Sequence, residues 1–355
     1  MTSNSTNVAA TGGVVPPNST QKVALLASLG MLPVLVVLYI GFYGAMYLHD
    51  PGVASNFISQ SNTINILQQV SINMVLAIGM TFVILTGGID LSVGAMLAFS
   101  AVVGMIVATP GAVTGSLLNT LPPSLALAAF LGSGLLMGLL NGAVIAFLDF
   151  SPFITTLATM TTIRGLAYLV VNGSNVLNTD ITFGWIGNGV MQTLFDRQTG
   201  FDIPWLVVIA AIVAVASWFI LRRTVLGGHI YAVGGNAQAA RLTGINVSLV
   251  LVFSYAACGM FSGLAGAMTA ARLLSANGNL GVGYELDAIA AVVLGGTRLT
   301  GGVGSVLGTV IGALIIGVMS NGLTILGVSS FWQYVVKGLV ILAAVFLDRM
   351  RQRRG

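Results

Sequence analysis

Charged side chains are scarce in this chain, with Asp, Glu, Lys and Arg making up 6% of 355 residues, so each one inside an apolar run is a candidate for chemistry. Asp90 lies in Gly87–Gly94 (GGIDLSVG), Arg164 lies mid-run in TTIRGLAYLV, Glu285 and Asp287 head a further apolar run, and Lys337 lies within the last. An ion at the centre of a bilayer costs about 3 kcal/mol or more, so such residues pair with one another and mark solute pathways or helix clamps. Arg164 is therefore expected to pair with Asp90, Glu285 or Asp287, in a pathway or as a structural clamp. Other chemistry finds no constellation. His49 and His229 fall on opposite predicted sides of the membrane, Cys258 is the only cysteine, and HExxH, GxSxG and GxxxxGK[ST] do not occur. The chain thus offers no catalytic set, no metal site and no ATP cradle of its own. With Glu285 its only glutamate, it is also poor in the acids a proton or sodium relay would need.

The elements that must position these residues are membrane helices. Hydrophobic residues make up 56% of the chain, in runs near the roughly 17–25 residues a helix needs to cross hydrocarbon. The pattern predicts an all-α polytopic bundle of about ten spans, near 23–46, 64–86, 91–109, 124–147, 153–172, 204–221, 248–273, 284–297, 302–326 and 332–348. An even count puts both termini on one side. The cluster Asp348-Arg349-Met350-Arg351-Gln352-Arg353-Arg354, with Arg222, Arg223 and Arg241, makes that side cytoplasmic, while Asp50, Asp180, Asp196, Asp202, Glu285 and Asp287 fall opposite. The same topology accounts for a pI near 9.5 without nucleic acid. Residues 1–20, rich in Ser, Thr, Asn and Pro, read as a disordered cytoplasmic tail, 21–349 as the membrane domain and 350–355 as a basic cytoplasmic tail.

Glycine marks the places where a plain helix model strains. Gly87–Gly94 and Gly295–Gly304 are each either a broken helix beside a pathway or a tight cytoplasmic turn. Gly134, Gly138 and Gly142, Gly304, Gly308 and Gly312, and Gly259 with Gly263 recur every fourth residue, which suits close helix packing within one subunit or, alternatively, a dimer face. The polar segment Arg222–Val247 (RRTVLGGHIYAVGGNAQAARLTGINV) stands apart. Ala237–Leu242 favours a short helix entered sharply through Gly234 and Gly235, with Asn236 as N-cap and Gly244 as C-cap. A small-residue helix carrying Ala239, Ala240 and Arg241 suits insertion into a cleft of another protein.

The runs LTGGIDLSVGAMLA (Leu85–Ala98), ITTLATMTTIRGLAY (Ile154–Tyr168), IYAVGGNAQAARLTGINV (Ile230–Val247), GYELDAIAAVVLGGT (Gly283–Thr297) and GVSSFWQYVVKGLVILAAVFLDR (Gly327–Arg349) together resemble the permease subunits of bacterial ATP-binding-cassette sugar importers, most of all the ribose group. The resemblance runs from about Asn62 to the end. It implies a multi-pass inner-membrane homodimer, contacting lipid and no nucleic acid, that provides an alternating-access path for a monosaccharide. A partner ATPase would hold ATP and Mg, and a periplasmic or lipid-anchored binding protein would deliver sugar. The family's coupling helix maps onto Gly234–Gly244. For the pathway, Gly87, Gly88, Asp90 and Gly94 lead, followed by Asn141 and Arg164, with Asp90 as sugar contact or as a brace for the helix beginning near Leu91. A transporter or channel working alone is the alternative.

Overall fold

The computed structural model describes residues 31–113, 115–189 and 203–354. The expectations for the tail at 1–20 and for Asp196 and Asp202 lie outside these residues. Helices α1 (Leu32–His49), α2 (Pro51–Phe57), α3 (Gln60–Leu85), α4 (Val93–Ala108), α5 (Ala126–Phe147), α6 (Pro152–Val170), α7 (Trp185–Asn188), α8 (Trp205–Arg223), α9 (Val225–Gly235), α10 (Ala237–Leu242), α11 (Val247–Leu273), α12 (Tyr284–Leu294), α13 (Val306–Ile325) and α14 (Ser330–Arg354) follow in order. One two-residue antiparallel pairing, β1 (Val176–Leu177) with β2 (Ser275–Ala276), is the sheet found among the described residues.

Every run expected to span contains a helix, yet seven helices are long and apolar enough to cross a membrane among the described residues. Of the three expected spans outside these seven, one lies in α14 and the other two, α4 and α12, are short. At 16 and 11 residues and 1.5 Å per residue, they rise only about 24 and 17 Å. Helix α14 runs unbroken through 350–354, so the expected basic tail continues a helix.

Helices α3, α4 and α11 form the centre, and their side chains are largely buried all round. The tightest seam joins α5 to α11. A Cβ added at Gly134 or Gly138 would lie 2.3 Å from the Gly259 or Tyr255 carbonyl oxygen, and one at Gly259 would lie 2.3 Å from that of Gly134. The glycine ladder therefore packs two helices of one subunit backbone to backbone, where dispersion replaces the hydrophobic effect that lipid cannot supply. The Gly304–Gly312 ladder works likewise, since a Cβ at Gly312 would overlap the Ala291 carbonyl of α12. Polar pairs bind α3 to α13: Thr81 and Thr309 hydroxyls at 2.8 Å, and reciprocal Asn62–Asn321 amide bonds at 3.0 and 2.9 Å.

Candidate functional site

Helix α3 ends through the Gly88 N–H donating to Val83 O (3.1 Å) and the Gly87 N–H to Ile84 O (2.9 Å), with Gly87 at φ +84°. This closure needs a left-handed residue, which glycine supplies without Cβ strain. The chain then doubles back into the bundle and carries Asp90 to complete burial. Asp90 Oδ1 accepts from the Ser92 backbone N–H (2.9 Å) and hydroxyl (2.6 Å), the Asn141 Nδ2 donates to Ser92 Oγ (2.9 Å), and Thr156 Oγ1 donates to Ile89 O (3.2 Å). Helix α4 starts at Val93 with Ser92 as its N-cap, two residues later than expected, so Asp90 braces the entry through Ser92. Gly87–Gly94 is thus a turn followed by a buried break.

Three buried polar atoms here make no hydrogen bond within the protein: Asp90 Oδ2, Asn141 Oδ1 and Tyr255 Oη. Tyr255 packs over Gly88, where a Cβ would lie 2.4 Å from its hydroxyl. Leaving such groups unsatisfied costs about 1–3 kcal/mol each, so the site retains a polar character that packing alone would eliminate.

Arg164 does not make the ion pair expected of it. Its Nη1 donates to the carbonyls of Gly278 (2.9 Å) and Leu280, in the non-helical stretch before α12. The acid that acts on it, at longer range, is Glu285. Asp287 instead pairs with Lys337 at 2.8 Å, and Asp90 is held by Ser92. A guanidinium fork can satisfy several peptide oxygens at once, which lets an irregular backbone persist where water is scarce. Gly94 completes this second cluster: a Cβ there would lie 2.3 Å from Gly281 O and 2.4 Å from Glu285 Oε2. Glu285 Oε1 accepts from the Gly283 N–H at 3.2 Å, and Oε2 has no partner. The first turn of α4 therefore separates an Asp90–Ser92–Asn141 group from a Gly94–Glu285–Arg164 group.

The polar segment is two helices where the sequence suggested one. Gly234 and Gly235 close α9, whose start is capped by Thr224 accepting from the Gly227 N–H (3.2 Å). Helix α10 matches its expected bounds. Asn236 Oδ1 accepts from the Ala239 N–H at 2.9 Å, and beyond the helix Gly244 takes φ +88°. Ala240 is buried, while Ala239 and Arg241 are exposed and Leu242 is 89% exposed. Just before α10 lies a junction where Gly234 meets Gly301, Gly302 and the end of α3. A Cβ at Gly234 would lie 1.7 Å from Leu85 O and 2.6 Å from Gly302 N, and the Gly302 N–H donates to Leu85 O at 3.0 Å. The end of α9 thus rests on both the α3–α4 and α12–α13 turns. Tyr231 adds a bond from its hydroxyl to Gly304 O (3.0 Å), and burial pushes that phenol up to about 12, which keeps it a neutral donor.

Sequence reasoning passed over Ser92, Tyr255 and Thr156. Their one signal is local: a hydroxyl two residues after Asp90, a lone tyrosine in α11, and threonines repeated through α6. The Ser275–Ala276 strand was also missed, being too short for periodicity to reveal.

The family described as branched-chain amino acid transport system / permease component matches residues 62–345. The ribose import permease protein of Escherichia coli (strain K12) is 46% identical over 305 residues, covering 84% of this chain and 89% of that protein. That of Bacillus subtilis (strain 168) is 46% identical over 298 residues, covering 83% and 87%. The galactose/methyl galactoside import permease protein of E. coli (strain K12) is 37% identical over 331 residues, covering 92% and 95%. No solved structure matches. With helices α4 to α13, nearly all of α3 and both polar groups inside the matched span, the chain belongs to this family of membrane permease components.

Proposed function

We propose that this chain is the permease subunit of an ATP-binding-cassette importer for a monosaccharide, ribose first, in the bacterial inner membrane. The observation that carries the reading is the 46% identity to ribose import permeases over most of both chains. Two copies would enclose the path, a cytoplasmic ATPase would hold ATP and Mg, and a periplasmic or lipid-anchored protein would present the sugar. About ten spans with both termini cytoplasmic fit this reading. The short helices α4 and α12 would then be completed by the non-helical stretches that precede them.

The proposed mechanism follows from the glycine junction. Helix α10 presents Arg241 and Leu242 outward, and its neighbour α9 sets Gly234, in its last turn, against the turns that lead to Asp90 and out of α12. ATPase closure would displace α10, and backbone contacts with no soft side chain between them would pass the movement to both interrupted helices. Asp90, Asn141 and Tyr255 would meet solute hydroxyls in one of the two states. The ATPase can bias that equilibrium only through its differing affinity for the two states.

The test is affinity capture of the tagged chain from native membranes, wild type beside Arg241→Glu. An ATPase should be captured with wild type and lost with the charge reversal at equal permease level. A wild-type chain that captures no ATPase even after crosslinking would sink the reading. A reporter fused after residue 240 should be cytoplasmic and one after residue 190 periplasmic.

A further inference from the structure

The irregular stretch before α12 also leaves space beside it. Between the start of α12 and the first two turns of α14 lies a cavity of about 180 Å³, whose lining includes Tyr284, Asp287, Ser330, Gln333, Tyr334 and Lys337. Its charged element is the Lys337–Asp287 pair at 2.8 Å, with Asp287 4% and Lys337 21% exposed. Tyr334 is half exposed. At roughly 30 Å³ per water the space takes about six waters, the scale of one sugar ring and too little for two.

The chemistry of the wall is mixed. An ammonium carries three donors and the pair uses one, while a carboxylate has several lone pairs. Gln333 Nε2 is taken by Thr324 Oγ1 (3.2 Å) and Val328 O (3.0 Å), which fixes the side chain and leaves its Oε1 to accept. Two tyrosines add flat apolar faces with polar tips. A clamp between α12 and α14 would need only the ion pair, and apolar packing around it would serve that purpose better than an open, polar-walled space.

We infer that this cavity is a subsite for a single monosaccharide, with Tyr334 against the C–H face of the ring and Lys337, Asp287 and Gln333 on its hydroxyls. The inference rests on the importer reading for its choice of sugar. It lies apart from the Asp90 group and would give solute a first protein contact at the head of α12. Charge-assisted hydrogen bonds to neighbouring hydroxyls select polyols, and the size of the space selects one ring.

Cys258 is buried, so a Ser330→Cys variant of the full chain in lipid nanodiscs carries one reactive thiol at the cavity. The rate of its alkylation is measured with D-ribose or maltose present. By mass action, ribose at twice its dissociation constant should slow labelling about threefold, maltose should not, and adding Tyr334→Ala should abolish protection. Unchanged labelling at all ribose concentrations, or equal protection by maltose, overturns the subsite. Should Tyr334→Ala fail to accumulate, Gln333→Ala serves in the same assay, with loss of protection again expected. Ribose uptake by the assembled importer is scored separately. Uptake without protection removes the subsite and keeps the importer, and protection without uptake keeps the subsite and removes the importer.

Discussion

The two glycine-rich interruptions, Gly87–Gly94 and Gly295–Gly304, close their helices in the same way and then part. Gly87 and Gly296 both sit at φ +84°, and in each turn an N–H reaches back five residues, Gly88 to Val83 O at 3.1 Å and Thr297 to Val292 O at 3.2 Å. After the first turn the chain buries the charged Asp90 completely, whereas after the second it leaves Arg298 and Thr300 exposed. Identical capping chemistry therefore does not decide where the chain goes next. What differs is the neighbour: Asn141 of α5 and Tyr255 of α11 give the first turn polar company inside, while Gly304 and Gly308 press the second against its own helix pair.

Gly234 touches both turns, so it should not discriminate between them and should have the largest effect. Gly234→Ala places a Cβ 1.7 Å from Leu85 O, and at ~3 kcal/mol of overpacking, sugar uptake should fall about 100-fold. Permease level and ATPase capture should persist, since α10 itself is untouched. Uptake within a few-fold of wild type would break the idea that the junction transmits movement. Asp90→Ala acts on one turn only. Leaving the Ser92 N–H and hydroxyl short of an acceptor at ~1.4 kcal/mol should cut uptake about tenfold. Normal uptake at normal membrane level would remove Asp90 from the mechanism.

Gly87→Ala and Gly296→Ala sharpen the comparison because the local strain is equal, about 1–2 kcal/mol for a left-handed alanine. Thermal stability in detergent should drop alike for both, and uptake should drop further for Gly87→Ala. Equal uptake losses would make the two turns functionally equivalent. Arg298→Gln is the smallest change, an exposed substitution worth under ~0.5 kcal/mol, so uptake should stay within about twofold. A loss matching that of Asp90→Ala would erase the distinction between the exposed charge of one turn and the buried charge of the other.

Much of this was legible beforehand for identifiable reasons. Helix positions followed from apolar runs, and α10 followed from Asn236 and Gly244, because capping is chemistry between residues a few places apart. The glycine ladders also read correctly as packing within the subunit. The fate of Arg164 did not follow, since two unremarkable backbone carbonyls at Gly278 and Leu280 competed with the acids that sequence reasoning could see. Lys337 took Asp287 for a similar reason: partners 50 residues apart are chosen by helix packing.

By itself the sequence determined the membrane class, the approximate helices, the capped α10 and the rarity of charge, because hydrophobicity, capping and charge are properties of residues and near neighbours. Only the tertiary structure decided which glycines meet, that Asp90 faces Ser92, Asn141 and Tyr255, and that the start of α12 lies beside a polar cavity. Those outcomes depend on which helix faces which, and that choice is made by contacts distant along the chain and summed over the whole bundle.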